Sequence, residues 1–488
     1  MFDFQVAIIG GGVVGSAIAM ELAKYDIPTV VFEAGSDVAS GTSKANSGVI
    51  HSGINSPPGS LKAKFCVEGN QMIQELARKM HLEIKMVGKY VVAINEDEIS
   101  VLEELKEVGI KNGVPGLKIV DGDDVKKNEP NVKCCKALWV PTAGIISPYK
   151  FTIALAETAA ENGVRFMLET KVVDIKAKEQ KGGFSIITNR GEFTSEVLIN
   201  AAGVHCREIV SMLMEPDFDV YPCRGEYLVL DKEYSHIITS MIYPVPPRDK
   251  SVLGIHITPT IEGNILLGPS MEYVDDVDDT RTTREVMKML MEEAKKLVPS
   301  LPDRAVINAY SGIRCKLKKG EWADYRIEEY KDVPGMINLL GIESPGLTAA
   351  PAIGKYVVEV VARHVELKKK EMFRYRNAYG NRFADMDDSR KSEVIKQNSG
   401  YGRIVCRCEQ VTEAEVIEAL SNPLGARTLA SVKYRCRAGM GRCQGGFCTQ
   451  HVVRIMEERF GMEPQEIKLK SPGSFLFAGR TRKEEEND

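Results

Sequence analysis

Three glycines and an acidic residue near the N-terminus form the first motif with a recognisable chemical role. Gly10, Gly12 and Gly15 form a G-x-G-x-x-G pattern after the apolar run 5–9, and Glu33 ends a second apolar run. Such glycines let a pyrophosphate approach the backbone, the following helix directs its N-terminal N–H groups at the phosphates, and the acid accepts a ribose hydroxyl. The pattern therefore predicts a dinucleotide site on a parallel α/β sheet.

Two later segments indicate which dinucleotide binds. Residues 197–203 read as a buried strand ending in a small-residue turn, and residues 338–348 read as a strand, a glycine-rich turn and a helix start. A ligand touched at three distant points suits FAD better than NAD, and the last helix start would aim free N–H groups at the flavin C2 carbonyl. Ordinary strand-to-helix turns are the alternative. Since no second G-x-G-x-x-G follows, we expect no direct NAD(P)H partner.

A family resemblance supports FAD. Residues 42–53 read TSKANSGVIHSG and residues 59–64 read GSLKAK. With the glycine motif, these stretches resemble the D-amino-acid-oxidase superfamily of FAD enzymes, above all its glycerol-3-phosphate dehydrogenases and L-2-hydroxyglutarate oxidases. The resemblance extends to about residue 370 and implies FAD contacts from a set of turn, loop and helix-start residues. This set is Gly10, Gly12, Gly15, Glu33, Thr42, Ser43, Asn46, Ser47, Gly48, Val49, Ala202, Gly203, Gly341, Ser344, Pro345, Gly346, Leu347 and Thr348.

The region between the nucleotide motifs has a different pattern. Residues 220–230, 254–260 and 264–268 alternate apolar and polar positions, with glycine, proline and asparagine between them. This alternation predicts an antiparallel sheet, which would form the roof of a substrate pocket over the flavin. In the resembled families the substrate lies between such a sheet and the isoalloxazine ring.

Several residues of this region could bind or deprotonate a substrate. Arginine offers a bidentate fork to a carboxylate or phosphate, and histidine is the usual base near neutral pH. We predict His51, His256 and Arg314 as catalytic residues, and a small anionic substrate. The predicted substrate-binding residues are Arg224, Lys62, Lys64 and Lys316. Salt-bridged surface arginines and a core histidine are the alternatives.

The cysteines near the C-terminus form a second candidate site. Five of the 11 cysteines lie between Cys406 and Cys448, in the order C-x-C, then Cys436, then C-x4-C with Cys443. Two close thiolate pairs could hold a [2Fe–2S] cluster or zinc, although zinc knuckles prefer two to four residues between cysteines; unligated thiols are the third possibility. The stretch RAGMGRCQGGFC resembles the bacterioferritin-associated-ferredoxin type of [2Fe–2S] domain. This resemblance implies Cys406, Cys408, Cys443 and Cys448 as ligands and leaves Cys436 a spare buried thiol.

These motifs predict an α/β fold. We expect an FAD-binding Rossmann-like domain with an antiparallel-sheet substrate domain, and a small α-helical C-terminal [2Fe–2S] domain. The FAD-binding domain is assigned to residues 1–75, 150–215 and 330–370, and the substrate-binding domain to residues 76–149 and 216–329. A linker at 371–400, the cluster domain at 401–460 and a tail at 461–488 complete the 488 residues.

Composition and charge narrow the functional class. Hydrophobic residues make up 43% and charged residues 27%, and 64 Lys+Arg against 68 Asp+Glu give a net charge of −4. Nothing here suggests a nucleic-acid partner, a disordered chain or an apolar run of the ~20 residues that span a bilayer. The N-terminus enters a strand at once without a signal-peptide pattern, so we expect a cytoplasmic protein that reaches the inner face of the membrane only through a partner.

Flavin and cluster on one chain suggest a dehydrogenase feeding a one-electron carrier. The resemblance implies oxidation of sn-glycerol 3-phosphate to dihydroxyacetone phosphate by hydride transfer to flavin N5, with electrons leaving through the cluster to a partner subunit or carrier, as in a hetero-oligomer. An L-2-hydroxy acid dehydrogenase acting on 2-hydroxyglutarate and an amino-acid or opine oxidase subunit are alternatives. A non-catalytic electron-transfer or redox-sensing subunit is the alternative from another class.

Overall fold

The computed structural model describes residues 2–178, 182–247, 254–377 and 382–479. Residues 378–381 of the predicted linker and 480–488 of the predicted tail lie outside this part. The strands are β1 Phe4–Ile9, β2 Thr29–Phe32, β3 Val49–Ile50, β4 Ile84–Lys85, β5 Lys89–Ala93, β6 Lys118–Asp121, β7 Lys136–Val140, β8 Gly144–Ile146, β9 Arg165–Met167, β10 Val172–Ala177, β11 Phe184–Thr188, β12 Gly191–Asn200, β13 Tyr221–Leu230, β14 Met241–Pro244, β15 His256–Pro259, β16 Ile265–Gly268, β17 Glu272–Tyr273, β18 Val306–Lys316, β19 Arg326–Glu329, β20 Met336–Leu340, β21 Ile404–Cys406 and β22 Val411–Thr412.

The helices connect and cover these strands. They are α1 Val13–Leu22, α2 Leu61–Lys79, α3 Ile99–Lys111, α4 Gly122–Asn128, α5 Pro148–Glu161, α6 Cys206–Ser211, α7 Arg284–Leu297, α8 Gly346–Val361, α9 Asp388–Gln397, α10 Glu413–Leu420, α11 Leu429–Cys436 and α12 Thr449–Phe460. In the part of the chain that the structure describes, no helix combines the length and apolar character that crossing a membrane requires.

The first sheet has a parallel core. The strand order is β10-β11-β12-β1-β2-β9, and β20 pairs with the carboxyl end of β12. Strands β1, β2, β9, β12 and β20 are mutually parallel where they pair. Every residue of β2 is buried and so are the last four of β1, because helices cover both faces of a parallel sheet. The carboxyl ends of β1 and β12 therefore open toward one edge, where turn residues can meet a ligand.

The second sheet is mostly antiparallel. It runs β17-β13-β16-β15-β14-β5-β7-β6, with β18 pairing along β13 over its whole length. One pair, β5 with β14, is parallel. Helix α7 packs on its outer face and buries an apolar core that includes Leu228, Leu267 and Leu290. The α/β fold class and the antiparallel sheet expected from residues 220–268 are confirmed.

The C-terminal unit is small and largely helical. A hairpin of β21 and β22 precedes α10, α11 and α12, which share their own apolar core. Thr412 and Glu415 form a reciprocal capping box at the start of α10, which explains why the helix begins there. The buried Arg435 of α11 joins this unit to the first sheet, since its guanidinium pairs with Glu157 at 2.8 Å and with Asp37 at 2.5 Å.

Candidate active site

A cavity of about 1730 Å³ lies between the two large sheets and the C-terminal unit. One wall carries the turn after β1, the loop before β3 and the start of α8. The opposite wall is formed by β13, β15 and β18, and α11 contributes a third side. Sites for one small ligand measure about 300–1,000 Å³, so this cavity has room for a dinucleotide and a substrate together.

The turn after β1 is built for a pyrophosphate. Gly10 adopts φ +106°, and a Cβ there would lie 2.5 Å from the Ala201 carbonyl oxygen. Helix α1 begins without an N-terminal side-chain cap of its own, and the Val13 N–H donates to Ser43 Oγ at 2.8 Å. Free N–H groups at a helix start attract phosphate. This end of the cavity therefore fits the diphosphate of a dinucleotide.

Glu33 stands where the ribose acid was predicted. Its two carboxylate oxygens accept hydrogen bonds from the backbone N–H groups of Gly11 at 2.7 Å and Gly35 at 2.6 Å. Burial raises the pKa of Glu33, and these two hydrogen bonds partly offset the rise. The backbone thus orients the carboxylate at the mouth of the nucleotide turn, where it can accept a ribose hydroxyl.

The start of α8 faces the same cavity from the far end. Pro345 precedes the first turn, no side chain caps it, and Gly346 and Leu347 line the wall. Uncapped N–H groups carry the positive end of the helix dipole. An electron-rich carbonyl of a ligand would be stabilised here, as the sequence pattern suggested.

Most of the predicted cofactor residues line the cavity, and four lie behind its surface. The four are Gly15, Gly48, Gly341 and Thr348. Gly15 and Gly48 are packed so tightly that an added Cβ would collide with the backbone oxygens of Gly10 and Ile146. Thr348 is fully buried and accepts a hydrogen bond from the N–H of the loop residue that follows β3. These residues shape the site from behind.

Two histidines line the cavity from opposite walls. His51 follows β3, and its backbone N–H donates to Thr348 Oγ1 at 2.9 Å. His256 begins β15, and its ring stacks on that of Tyr243 with centroids 3.5 Å apart and an interplanar angle of 8°. Burial lowers the pKa of His51 to about 3 and also lowers the pKa of His256. Both imidazoles are therefore neutral proton acceptors at neutral pH.

Lys89 is a buried cation beside both histidines that the sequence analysis missed. It lies in β5, is 1% exposed, and its Nζ is 4.7 Å from the centroid of the Tyr243 ring. Within the described residues its ammonium makes neither a hydrogen bond nor an ion pair. Its charge adds to burial in lowering the pKa of His51 and His256. A lone lysine in an apolar strand carries no sequence signal for this position.

Arg314, predicted as a catalytic residue, and Lys316, predicted as a substrate-binding residue, both lie in β18 and line the cavity. Arg314 donates to the backbone oxygen of Ser270, which fixes its guanidinium. Lys316 pairs instead with Glu343 at 3.2 Å, and Lys62 pairs with the same carboxylate at 2.9 Å. Burial raises the pKa of Glu343, but the two lysines more than offset this, so the pKa is lowered. Among the described residues Arg314 has no carboxylate partner, which leaves its charge available to an anion.

The prediction of Arg224 as a substrate ligand is corrected by the phase of its strand. Successive residues of β13 point to opposite faces of the sheet, so Gly225 lines the cavity while Arg224 points away. The buried guanidinium is held by Glu272 at 2.5 Å and by Asp279 at 2.6 Å. We therefore leave Arg224 out of the proposed substrate site.

Lys62 and Lys64 do not line the cavity either. Both lie on α2, where Lys62 is buried against Glu343 and Lys64 lies over the rings of Phe65 and Tyr356. Lys62 thus acts through Glu343, which does line the cavity. Only Lys316 of the four predicted substrate-binding residues lines the cavity.

The four predicted ligand cysteines come together as two pairs. Contact with the Cys448 thiol lowers the pKa of Cys406 to about 6, and Cys408 contacts Cys443, whose pKa is lowered first by the Phe447 N–H. Within the described ranges no three potential ligands converge as on one metal ion. Two pairs are the arrangement that two irons, each bound by two thiolates, require.

The spare cysteine and a glycine complete this centre. Cys436 is buried, its Sγ donates to the Val432 carbonyl oxygen at 3.2 Å, and burial raises its pKa to about 12. Such a thiol is a poor metal ligand. Gly441 has no side chain because a Cβ there would collide with Cys408. The donor set therefore fits a [2Fe–2S] cluster held by four thiolates.

The C-terminal unit also forms part of the cavity, which the sequence analysis did not foresee. The residues of this unit that line the cavity include Tyr434 in α11, Arg437 directly after the end of α11, and Met440. Arg437 is 4% exposed and pairs with Glu409 at 2.7 Å and with Glu262 at 3.2 Å. Glu409 directly follows Cys408. The buried guanidinium of Arg437 therefore joins the loop that carries Cys408 to the wall of the cavity.

Comparison with known proteins identifies the fold. Residues 5–360 match the family described as FAD dependent oxidoreductase. The chain belongs to this FAD dependent oxidoreductase family. Residues 404–458, which hold the four paired cysteines, match the BFD-like [2Fe-2S] binding domain. FAD and a [2Fe–2S] cluster are therefore the cofactors of this FAD-dependent oxidoreductase, and the glycine turn after β1, the helix starts and the paired thiols described above fit them.

Three similar proteins place the oxidoreductase within its family. A glycerol 3-phosphate dehydrogenase from Caloramator mitchellensis is 41% identical over 487 residues, covering 99% of each chain. A mitochondrial L-2-hydroxyglutarate dehydrogenase from Arabidopsis thaliana is 31% identical and covers 74% of this chain and 83% of its own. The solved L-alpha-glycerophosphate oxidase from Mycoplasma pneumoniae, with FAD bound, is 30% identical with a TM-score of 0.72, covering 76% of this chain and 98% of its own.

Proposed function

We propose that this oxidoreductase is a glycerol-3-phosphate dehydrogenase that delivers electrons to a partner. Arg314, His51 and His256 line the same cavity, and this supports the proposal most directly. Oxidation of a hydroxy-phosphate needs a guanidinium that binds the anion and a neutral base that accepts the hydroxyl proton. The full-length similarity to a glycerol 3-phosphate dehydrogenase, which includes the cysteine segment, supports it.

Arg314 would bind the phosphate. Its guanidinium has one donor fixed on the Ser270 carbonyl oxygen, so the remaining N–H groups have a defined direction. A guanidinium presents these donors to phosphate in a fork. Lys316 would contribute less, because its ammonium already pairs with Glu343, which it shares with Lys62.

One of the two histidines would accept the proton of the secondary hydroxyl. His51 is positioned by its backbone bond to Thr348 and His256 by its stacking on Tyr243. Because burial lowers the pKa of both imidazoles, each is unprotonated and ready to accept a proton at neutral pH. When bound, FAD supplies the two-electron acceptor, and the [2Fe–2S] cluster supplies a one-electron carrier toward a partner.

The substrate is tested by anaerobic flavin reduction. Glycerol 3-phosphate is expected to bleach the flavin absorbance in stopped flow, whereas glycerol, which lacks the phosphate, reacts far more slowly. The matched variant Arg314→Met is expected to raise the substrate concentration for half-maximal rate by about 100-fold, since a buried charge pair is lost.

A second candidate substrate is L-2-hydroxyglutarate. The guanidinium of Arg314 suits a carboxylate as well as a phosphate, and the Arabidopsis dehydrogenase is 31% identical. In the same experiment, rapid bleaching by L-2-hydroxyglutarate with none by glycerol 3-phosphate would transfer the proposal to this substrate.

A further inference from the structure

Among the lysines that line the cavity, which also include Lys171 and Lys316, three from two parts of the molecule act on one another through their charges. Lys44 belongs to the loop after β2, Lys433 to α11 and Lys470 to the segment after α12. We call them the lysine triad. Two of them come from the C-terminal unit, which lies outside the matched FAD dependent oxidoreductase region at 5–360.

Contacts across the cavity fix the position of the triad. The Lys44 Nζ lies 6.0 Å from the centroid of the Tyr434 ring, which packs on Tyr149 with centroids 5.0 Å apart. The segment that carries Lys470 is anchored two residues earlier, where Lys468 pairs with Glu169 at 2.6 Å. The C-terminal unit is therefore held over the nucleotide turn.

The same Glu169 carboxylate also contacts the loop that follows the predicted ribose acid. Glu169 also accepts a hydrogen bond from Ser36 Oγ at 2.7 Å, three residues after Glu33. The segment around Lys470 consequently crosses the nucleotide end of the cavity near the loop that follows β2. Ser43, which faces the N-terminus of α1, directly precedes Lys44 in the same loop.

The triad carries more positive charge than its surroundings compensate. Burial, followed by the charge of Lys470, lowers the pKa of Lys44 to about 8, while Glu33 and Asp37 act in the opposite direction. Burial lowers the pKa of Lys433 too, and Arg437 and Lys470 add to the effect. An anion bound between these lysines would relieve their mutual repulsion.

Asp37 does not cancel this charge. Its carboxylate is bound by the buried Arg435 of α11, at 2.5 Å. Glu33 is bound by two backbone N–H groups at the turn after β1. An anion with two negative charges beside the start of α1 would offset most of the positive charge of the triad. The diphosphate of FAD has this charge, and it is expected at this place.

We propose that Lys433 and Lys470 complete the FAD site from the C-terminal unit, binding the FAD diphosphate together with Lys44. The cluster-bearing unit then retains FAD as well as carrying the [2Fe–2S] centre. This inference concerns cofactor binding alone, so it can hold or fail whichever substrate the oxidoreductase uses.

Release of FAD from the full-length holoenzyme tests the proposal. FAD fluorescence rises on release, so dilution of wild type, Lys433→Met, Lys470→Met and the double variant gives the dissociation constants. We expect about tenfold weaker binding for Lys433→Met, about threefold for the more exposed Lys470→Met and a product of the two for the double variant. Arginine at either position retains the charge, so each arginine variant is expected to bind FAD nearly as tightly as wild type and more tightly than its methionine counterpart.

A surface lysine and the salt dependence serve as controls. Lys396→Met, on the exposed side of α9, is expected to leave FAD affinity unchanged. Iron per chain, measured in every variant, checks that the C-terminal unit is folded. In wild type, FAD release is expected to accelerate with rising KCl more steeply than in the double variant, because charge–charge attraction is screened.

Two results would overturn the proposal. The first is a double variant with wild-type iron content that binds FAD as tightly as wild type. The second is an unchanged FAD affinity with a raised half-saturating concentration of glycerol 3-phosphate, which would assign the lysines to the substrate. If the double variant fails to retain iron, the salt dependence of wild type decides, since FAD release independent of KCl contradicts a triad bound to a diphosphate.

Discussion

At the scale of single residues, each cavity histidine is held by a different contact. The backbone N–H of His51 binds Thr348, and the ring of His256 lies on Tyr243. Neither contact would stabilise a protonated imidazole, and burial disfavours its positive charge. The chemistry assigned to these residues follows from that environment.

Replacing the base is expected to slow flavin reduction without abolishing FAD binding. General-base catalysis contributes about 10²–10⁴-fold, so the variant of the true base, His51→Asn or His256→Asn, should lose that factor in the stopped-flow rate at pH 7. The other variant should lose clearly less. If both variants reduce FAD at the wild-type rate, the assignment of the base is wrong.

The charge of Lys89 predicts a pH effect. Burial and then Lys89 lower the pKa of His51 to about 3, and Lys89 also acts on His256, which in addition faces His51 and Arg314. Lowered imidazole pKa values keep the base unprotonated as pH falls, so the wild-type rate should stay level between pH 8 and pH 5. In Lys89→Met the imidazole pKa rises while burial, the larger cause of the shift, remains, so the rate should begin to fall at a higher pH than in wild type.

Lys89→Arg is the matched control because it keeps the positive charge. Its pH profile should follow that of wild type. The imidazole proton signals of the variant, followed by NMR titration, give the same answer without turnover. A Lys89→Met profile that superimposes on that of wild type would contradict the electrostatic role of this residue.

At the scale of elements, sequence patterns predicted the scaffold better than the orientation of side chains. The strand, glycine turn and Glu33 follow from local rules, and the structure has them as β1, α1 and β2. Arg224 shows the limit. Residues alternate along a strand, but which of the two faces meets the cavity depends on how β13 packs against other strands, and that information lies far away in the sequence.

The residues that reasoning from the sequence missed share this cause. Lys89, Lys433 and Lys470 are lone lysines in ordinary local contexts, and they become neighbours of the site only through packing of distant elements. The paired cysteines were foreseen because two short spacings, C-x-C and C-x4-C, are themselves the signal. Local chemistry was predictable, and long-range placement was not.

The junction between α11 and the cavity predicts a stability effect. Arg437 is buried between Glu409 and Glu262. Arg437→Met breaks the buried ion pair with Glu262, while Glu409 keeps Lys232 and Arg382, so the change should cost about 3 kcal/mol of unfolding free energy. Arg442 is 69% exposed and pairs with Asp231, so Arg442→Met should leave the free energy of unfolding nearly unchanged.

Thermal unfolding and iron retention distinguish these two variants. Arg437→Met should lower the melting temperature of the C-terminal unit and release iron at a lower temperature, whereas Arg442→Met should behave like wild type. Equal losses in the two variants would show that the buried guanidinium is not what fastens the cluster unit to the cavity.

At the scale of the whole molecule, one cavity is shared by three structural parts. The parallel sheet provides the nucleotide turn and the start of α8, the antiparallel sheet provides His256 and Arg314, and the C-terminal unit closes the third side. Buried ion pairs of Arg435 and Arg437 tie the last part to the first two. Substrate site and cluster unit therefore form one continuous assembly in the described chain.

The most direct test of this account is an anaerobic electron paramagnetic resonance and absorbance titration of the purified protein with glycerol 3-phosphate. In protein with about two irons per chain, as a [2Fe–2S] cluster requires, we expect flavin bleaching together with the signal of a reduced cluster. Flavin that glycerol 3-phosphate does not bleach, or bleached flavin with a cluster that stays oxidised, would contradict a glycerol-3-phosphate dehydrogenase that passes electrons through its C-terminal unit.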